Sequence, residues 1–78
     1  MPRVEIKIYG RVQNVGFRYD ANKKAEKFGV VCVPRNEPDG SLYIEAEGES
    51  PAQLEKFIAW CRKGPWGAKV ERVEVIYL

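Results

Sequence analysis

The segment Gly10-Arg11-Val12-Gln13-Asn14-Val15-Gly16-Phe17-Arg18 holds the residues best suited to grip an anion. Two glycines and an asparagine let the backbone curl so that several N–H groups point one way. Arg18 adds a guanidinium that can contact two oxygens of a phosphate at once. An apolar stripe begins at Phe17, which puts this curl at the start of a helix, where the helix dipole favours negative charge. Many glycine-bearing turns before helices bind nothing. Read alone, the segment is a candidate cradle for one small oxyanion.

The rest of the composition narrows the chemistry. Histidine is absent, which removes the usual neutral-pH base, the usual zinc ligand and every Ser/His or Cys/His nucleophile. Cys32 and Cys61 match no metal spacing and read as two buried free thiols rather than a disulfide. No metal ligands or cofactor motif are found. The longest uncharged apolar run, Gly29 to Val33, is far too short to cross a bilayer, and no signal peptide precedes the first strand. Net charge is only +2, low for a nucleic-acid binder. Its distribution is uneven: residues 1–36 carry eight Lys/Arg and three Asp/Glu, whereas residues 37–78 carry five and eight. The expectation is a cytoplasmic domain with a positive field suited to a small anion.

The elements that must position the cradle follow from periodicity. Val4, Ile6 and Ile8 alternate with polar residues, predicting a strand with one buried face, and Gly10 to Gly16 reads as a loop. Phe17, Ala21, Ala25 and Phe28 form a helical stripe that Gly29 ends. Val30 to Asn36 is a second strand, placed at a sheet edge or irregularity by Pro34. Glu37-Pro38-Asp39-Gly40 turns the chain into a third strand, with Leu42, Ile44 and Ala46 inward. Ser50, Pro51 and Gln53 open a second helix, with Leu54, Phe57, Ile58 and Cys61 on its buried face, and Gly64-Pro65 closes it. Val73, Val75 and Tyr77 alternate in a last strand, with Val70 out of phase across a bulge. Tyr43 and Tyr77 read as covers of the outer sheet face, Trp60 as core and Trp66 as cover at the second helix's end. The order β-α-β-β-α-β, in a single domain over residues 1–78, predicts an α+β ferredoxin-like sandwich: an antiparallel sheet with two helices on one face. Because successive strand residues alternate faces, Arg35 and Asn36 cannot both reach the cradle.

The string G-R-V-Q-N-V-G-F-R resembles the phosphate-loop signature of the acylphosphatase family, G-x-V-Q-G-V-x-F-R. Arg35-Asn36-Glu37-Pro38-Asp39-Gly40 resembles the family's R-N-x-x-D-G, and Gly64 to Val70 its G-P-x-x-A-x-V. The three occur in the family's order and bracket nearly the whole chain. The resemblance implies hydrolysis of the carboxyl-phosphate bond of small acyl phosphates, without metal or cofactor, with inorganic phosphate as product and competing ligand. It places the catalytic pair on Arg18 and Asn36, and the phosphate-binding backbone on Gln13, Asn14, Val15, Gly16, Phe17 and Arg18. The implied mechanism has Asn36 positioning a water and Arg18 neutralising the phosphoryl group. A carboxylate of low pKa leaves without a general acid, so a site without histidine is no handicap.

The chain departs from the family pattern in three places. Asn14 replaces Gly, and Asn is the non-glycine residue that adopts positive φ most cheaply. Cys32-Val33-Pro34 replaces Gly-Trp-Val. The chain ends before the family's short fifth strand, which implies one bare sheet edge, open to self-pairing or to cover by another chain, in a protein otherwise expected to be a monomer. A non-catalytic phosphate-binding module of the same fold is the alternative these departures motivate. An RNA-binding reading fails on the third strand, where Tyr43 is the one aromatic and is flanked by Glu45 and Glu47.

Overall fold

In the computed structural model, which describes residues 1–78, the alternating segment near the start forms β1 (Arg3–Arg11). It is followed by α1 (Phe17–Phe28), β2 (Val30–Asn36), β3 (Leu42–Gly48), α2 (Pro51–Lys63) and β4 (Lys69–Tyr77). All four strands pair antiparallel in the order β2-β3-β1-β4. Both helices pack on one face, so the predicted sandwich is the observed fold. Val4, Ile6 and Ile8 of β1 register against Ala46, Ile44 and Leu42 of β3, and all six are buried. Leu54, Phe57, Ile58 and Cys61 of α2, with Phe17, Ala21 and Ala25 of α1, close the core from above.

The helix ends follow the local chemistry. The Ser50 hydroxyl accepts from the Gln53 N–H while the Gln53 side chain accepts from the Ser50 N–H, the reciprocal cap that the sequence announces. The Gly29 N–H returns to the carbonyls of Ala25 and Glu26, ending α1. Pro34 lies in β2, an edge strand, where a missing donor is tolerated.

Several expectations change. β1 runs two residues beyond the predicted strand, because Gly10 and Arg11 pair with Val70 and Lys69 of β4. The register slips there: Tyr9 faces Arg72 while Gly10 faces Val70, leaving Glu71 as the bulged residue that puts Val70 out of phase. Tyr77 lies on the helix side, its hydroxyl donating to Glu55 of α2, and so does not cover the outer face. Trp66 covers nothing, being 99% exposed, and Trp60 is half-buried at the edge of the core. Cys32 is half-buried; only Cys61 is fully so, and both are free thiols.

The bulge depends on Gly10. Its φ of 126° is closed to ordinary side chains, and a Cβ there would collide with the Lys69 carbonyl and the Glu71 backbone. Gly10→Ala is expected to cost at least about 2 kcal/mol, measured as a lowered urea midpoint at unchanged slope. A loss below about 0.5 kcal/mol would mean the close approach is not a constraint.

Candidate active site

Between the end of β1 and the start of α1, five residues must convert a strand into a helix. Val12 and Phe17 are sunk in the core at either end, 1% and 2% exposed. Val15 packs half-buried against the same core. The Gly64-Pro65 segment lies beneath: a Cβ at Gly64 would come within 3.2 Å of Phe17 Cε2. Asn14 and Gly16, at φ 61° and 76°, take the left-handed conformations that turn the chain. Gly16 caps α1 without a side chain, and the first helical bond runs from the Asp20 N–H to the Gly16 carbonyl. The N–H groups of Phe17, Arg18 and Tyr19 precede it and have no partner within the helix.

A cleft of about 350 Å³ opens over this turn. Asn14, Gly16, Arg18, Tyr19, Asn22 and Asn36 line it, over a floor of Val12, Phe17 and Pro34. Arg18 arrives from the first turn of α1 and Asn36 from the last residue of β2, so residues 18 positions apart meet on one site. No carboxylate lines the cleft. Neither the Arg18 guanidinium nor the Asn36 amide is engaged by another protein side chain. Arg35 lies on the opposite sheet face, paired with Glu45 at 3.0 Å and stacked over Tyr43, as strand alternation requires. Elsewhere, no cluster of three His, Cys, Asp or Glu exists that could hold a metal ion.

Gln13 is placed differently from its neighbours. Its side chain does not enter the cleft; Nε2 donates to the carbonyls of Glu37 at 2.8 Å and Ser41 at 3.0 Å. This amide therefore ties the turn before α1 to the hairpin that follows Asn36. The hairpin is braced further: Asp39 accepts from both the N–H and the hydroxyl of buried Ser41, and pairs with Lys7 at 3.4 Å. Those hydrogen bonds from Ser41, then the Lys7 charge, hold the Asp39 carboxyl below its ordinary pKa.

Asn22 joins the lining without belonging to any of the three motifs, and the sequence signal for it is helical spacing, one turn beyond Arg18. Its Nδ2 donates to the Arg18 carbonyl at 3.1 Å, and its Oδ1 accepts from the Cys32 thiol at 3.5 Å. Burial pushes that thiol up to about 11, so it stays a protonated donor at neutral pH.

The acylphosphatase family model matches residues 4–77. An acylphosphatase of Nocardioides sp. is 44% identical over 72 residues, covering 92% of this chain and 72% of the relative. One from Thermococcus kodakarensis is 47% identical over 73 residues, covering 94% and 79%. The crystal structure of an acylphosphatase from Bacillus subtilis superposes with a TM-score of 0.95 at 33% identity, over 100% of this chain and 86% of that one.

Two outcomes follow from the brace and its hairpin. Gln13→Leu removes one of two donors from each carbonyl, since the Glu37 carbonyl keeps the Gly40 N–H and the Ser41 carbonyl keeps the Glu37 N–H. At about 0.5–1.5 kcal/mol for each lost bond it is expected to lower stability by about 1–3 kcal/mol in urea melts. It should also weaken inorganic phosphate binding in a calorimetric titration; unchanged affinity would show that the turn keeps its shape unaided. For Asp39, the folded pKa lies below the unfolded one, so its stabilisation is complete above the unfolded value of about 4 and fades as pH falls through the folded value. Asp39→Asn should therefore flatten the fall in urea midpoint below about pH 4. An identical acid limb in both proteins would remove Asp39 from the account.

Proposed function

The chain belongs to the acylphosphatase family, and from that premise we propose a division of labour among its residues. The protein is an enzyme that hydrolyses the carboxyl-phosphate bond of acyl phosphates, giving a carboxylate and inorganic phosphate. The observation that carries the residue assignment is the cleft itself, where one guanidinium, three asparagines and an open helix N-terminus converge without a carboxylate.

In this reading the phosphoryl group sits on the N–H groups of the Gln13–Arg18 turn, with Arg18 across two of its oxygens. Both contacts strengthen as charge spreads over those oxygens in the transition state, so they lower the barrier rather than only tightening binding. The Asn36 amide donates through its NH₂ and accepts through its oxygen, and holds a water in line with the acyl oxygen. The water oxygen bonds to phosphorus as the phosphorus–acyl oxygen bond breaks. The electron pair leaves on the carboxylate, and the water proton passes to a phosphoryl oxygen. The leaving group is a stable anion at neutral pH, so no acid has to protonate it. Asn14 keeps its left-handed conformation at φ 61°, which supports full use of the turn despite the missing glycine.

The test is hydrolysis of an aryl acyl phosphate by purified protein in excess chelator, with inorganic phosphate as competitor. Arg18→Ala is expected to lower kcat/KM by at least about 10²–10³-fold and to weaken phosphate inhibition steeply. Asn36→Ala is expected to lower kcat by at least about 10²-fold while the phosphate inhibition constant stays within about threefold. Near-full turnover in the Asn36 variant would remove the water-positioning role.

A further inference from the structure

A second cleft, of about 790 Å³, lies on the other side of α1, between that helix and the connection after α2. At 100° per residue, Asp20, Lys23, Lys24 and Lys27 project away from the arc of Arg18, Tyr19 and Asn22. The two clefts share no lining residue. Its size is within the range of small-molecule sites, about 300–1,000 Å³.

Its chemistry is unlike that of an ordinary solvated surface. Lys23, Lys24 and Lys27 meet Lys63 from the last turn of α2, and none of the four takes part in the three ion pairs of the protein. Asp20 is the one carboxylate in the lining. Beside these ammonium groups stand two indoles. Trp60 is half-buried with its ring edge-on to Phe17 at 5.3 Å, while Trp66 is 99% exposed. An indole wholly in water forgoes the burial of its large apolar surface, and tryptophan at a surface otherwise finds a partner for its ring. Charge alone would call for a polyanion and the ring alone for a flat apolar group. Together they call for a planar ring that carries several negative charges, with Asp20 available to accept from sugar hydroxyls.

We propose that this lysine- and tryptophan-lined cleft binds a nucleoside polyphosphate, its base against Trp66 and its phosphates among Lys23, Lys27 and Lys63. The site is separate from the hydrolytic cleft, and its ligand is not the substrate.

The experiment is a ¹H–¹⁵N NMR titration of the whole chain with metal-free ATP, adenosine and tripolyphosphate in turn. ATP is expected to shift the Trp66 indole N–H and amides in residues 20–27 and 63–68, with a dissociation constant at or below about 1 mM in low salt. Adenosine and tripolyphosphate should each bind at least about tenfold more weakly, because each lacks one half of the recognition. Trp66→Ala should weaken ATP about tenfold, and a Lys27→Gln, Lys63→Gln double variant should flatten the salt dependence, both with acyl phosphate turnover intact. Arg18→Ala should leave ATP binding at this cleft within about twofold. Shifts confined to residues 13–18 and 36 would overturn the proposal, placing ATP in the hydrolytic cleft. Equal binding of tripolyphosphate would also overturn it, leaving a diffuse cationic patch, and so would the absence of any shift at Trp66.

Discussion

The turn between Val12 and Phe17 holds its shape because both of its ends are buried. Those two side chains are fixed in the core, and the four residues between them have to reverse the chain within that span. Left-handed conformations at Asn14 and Gly16 meet the requirement, and they leave main-chain donors of the turn and of the helix start free of helical partners. A flexible loop would have to order itself around each substrate and lose binding energy in doing so. Here the ordering cost was met on folding, so in the proposed mechanism the donors already stand where charge would develop. The core thus shapes the proposed site: Gly64, far along the chain, matters because it packs against Phe17.

The same architecture sorts charge. On the outer sheet face three carboxylates have partners. Glu5 accepts from Tyr43, whose hydroxyl pKa is pushed up to about 12 by that bond; Glu45 holds Arg35; and Glu74 takes both Tyr9 and Arg72. The helix side keeps Arg18 and the α1 lysines without acidic partners. The basic first half of the sequence thus places its α1 cations on the helix side, while Asp39, Glu45 and Glu74 of the acidic second half pair with Lys7, Arg35 and Arg72. An anion approaching the cleft over the turn meets no carboxylate in its lining, and one approaching the second cleft meets four lysines against the single carboxylate of Asp20.

Most of this fold was legible because each element carries its own signal. Period-two alternation gave β1 and β3, a stripe at spacings of three and four gave the helices, and Ser50 with Gln53 announced the start of α2. The proposed pairing of Arg18 with Asn36 rests on motif resemblance, since nothing local in Asn36 separates it from an ordinary strand-end asparagine; the structure adds that both line one cleft. What escaped depends on partners far away in sequence. The extension of β1 rests on β4, some 60 positions later, and the brace from Gln13 rests on two carbonyls of a distant hairpin. Hydrophobicity also misleads: an indole is normally buried, which makes Trp66 a cover from sequence, yet in the fold it stands almost wholly exposed.

Asn36 sits where positional control is hardest to obtain. β2 is an edge strand, so only β3 fixes it laterally, and Pro34 removes one donor just before the asparagine. Val31 and Val33 stand exposed on its outer face and add little packing to hold it. In-line attack nevertheless tolerates errors well under an ångström. The compensation comes from the hairpin rather than the sheet. The Glu37 N–H closes on the Ser41 carbonyl at 2.9 Å, Asp39 locks Ser41, and Gln13 reaches across to the same carbonyl and to that of Glu37. One glutamine amide therefore fixes the distance between the turn that would hold the phosphoryl group and the strand end that would aim the water. The two halves of the site, carried by elements that do not pair with each other in the sheet, are set in register by a contact outside the cleft.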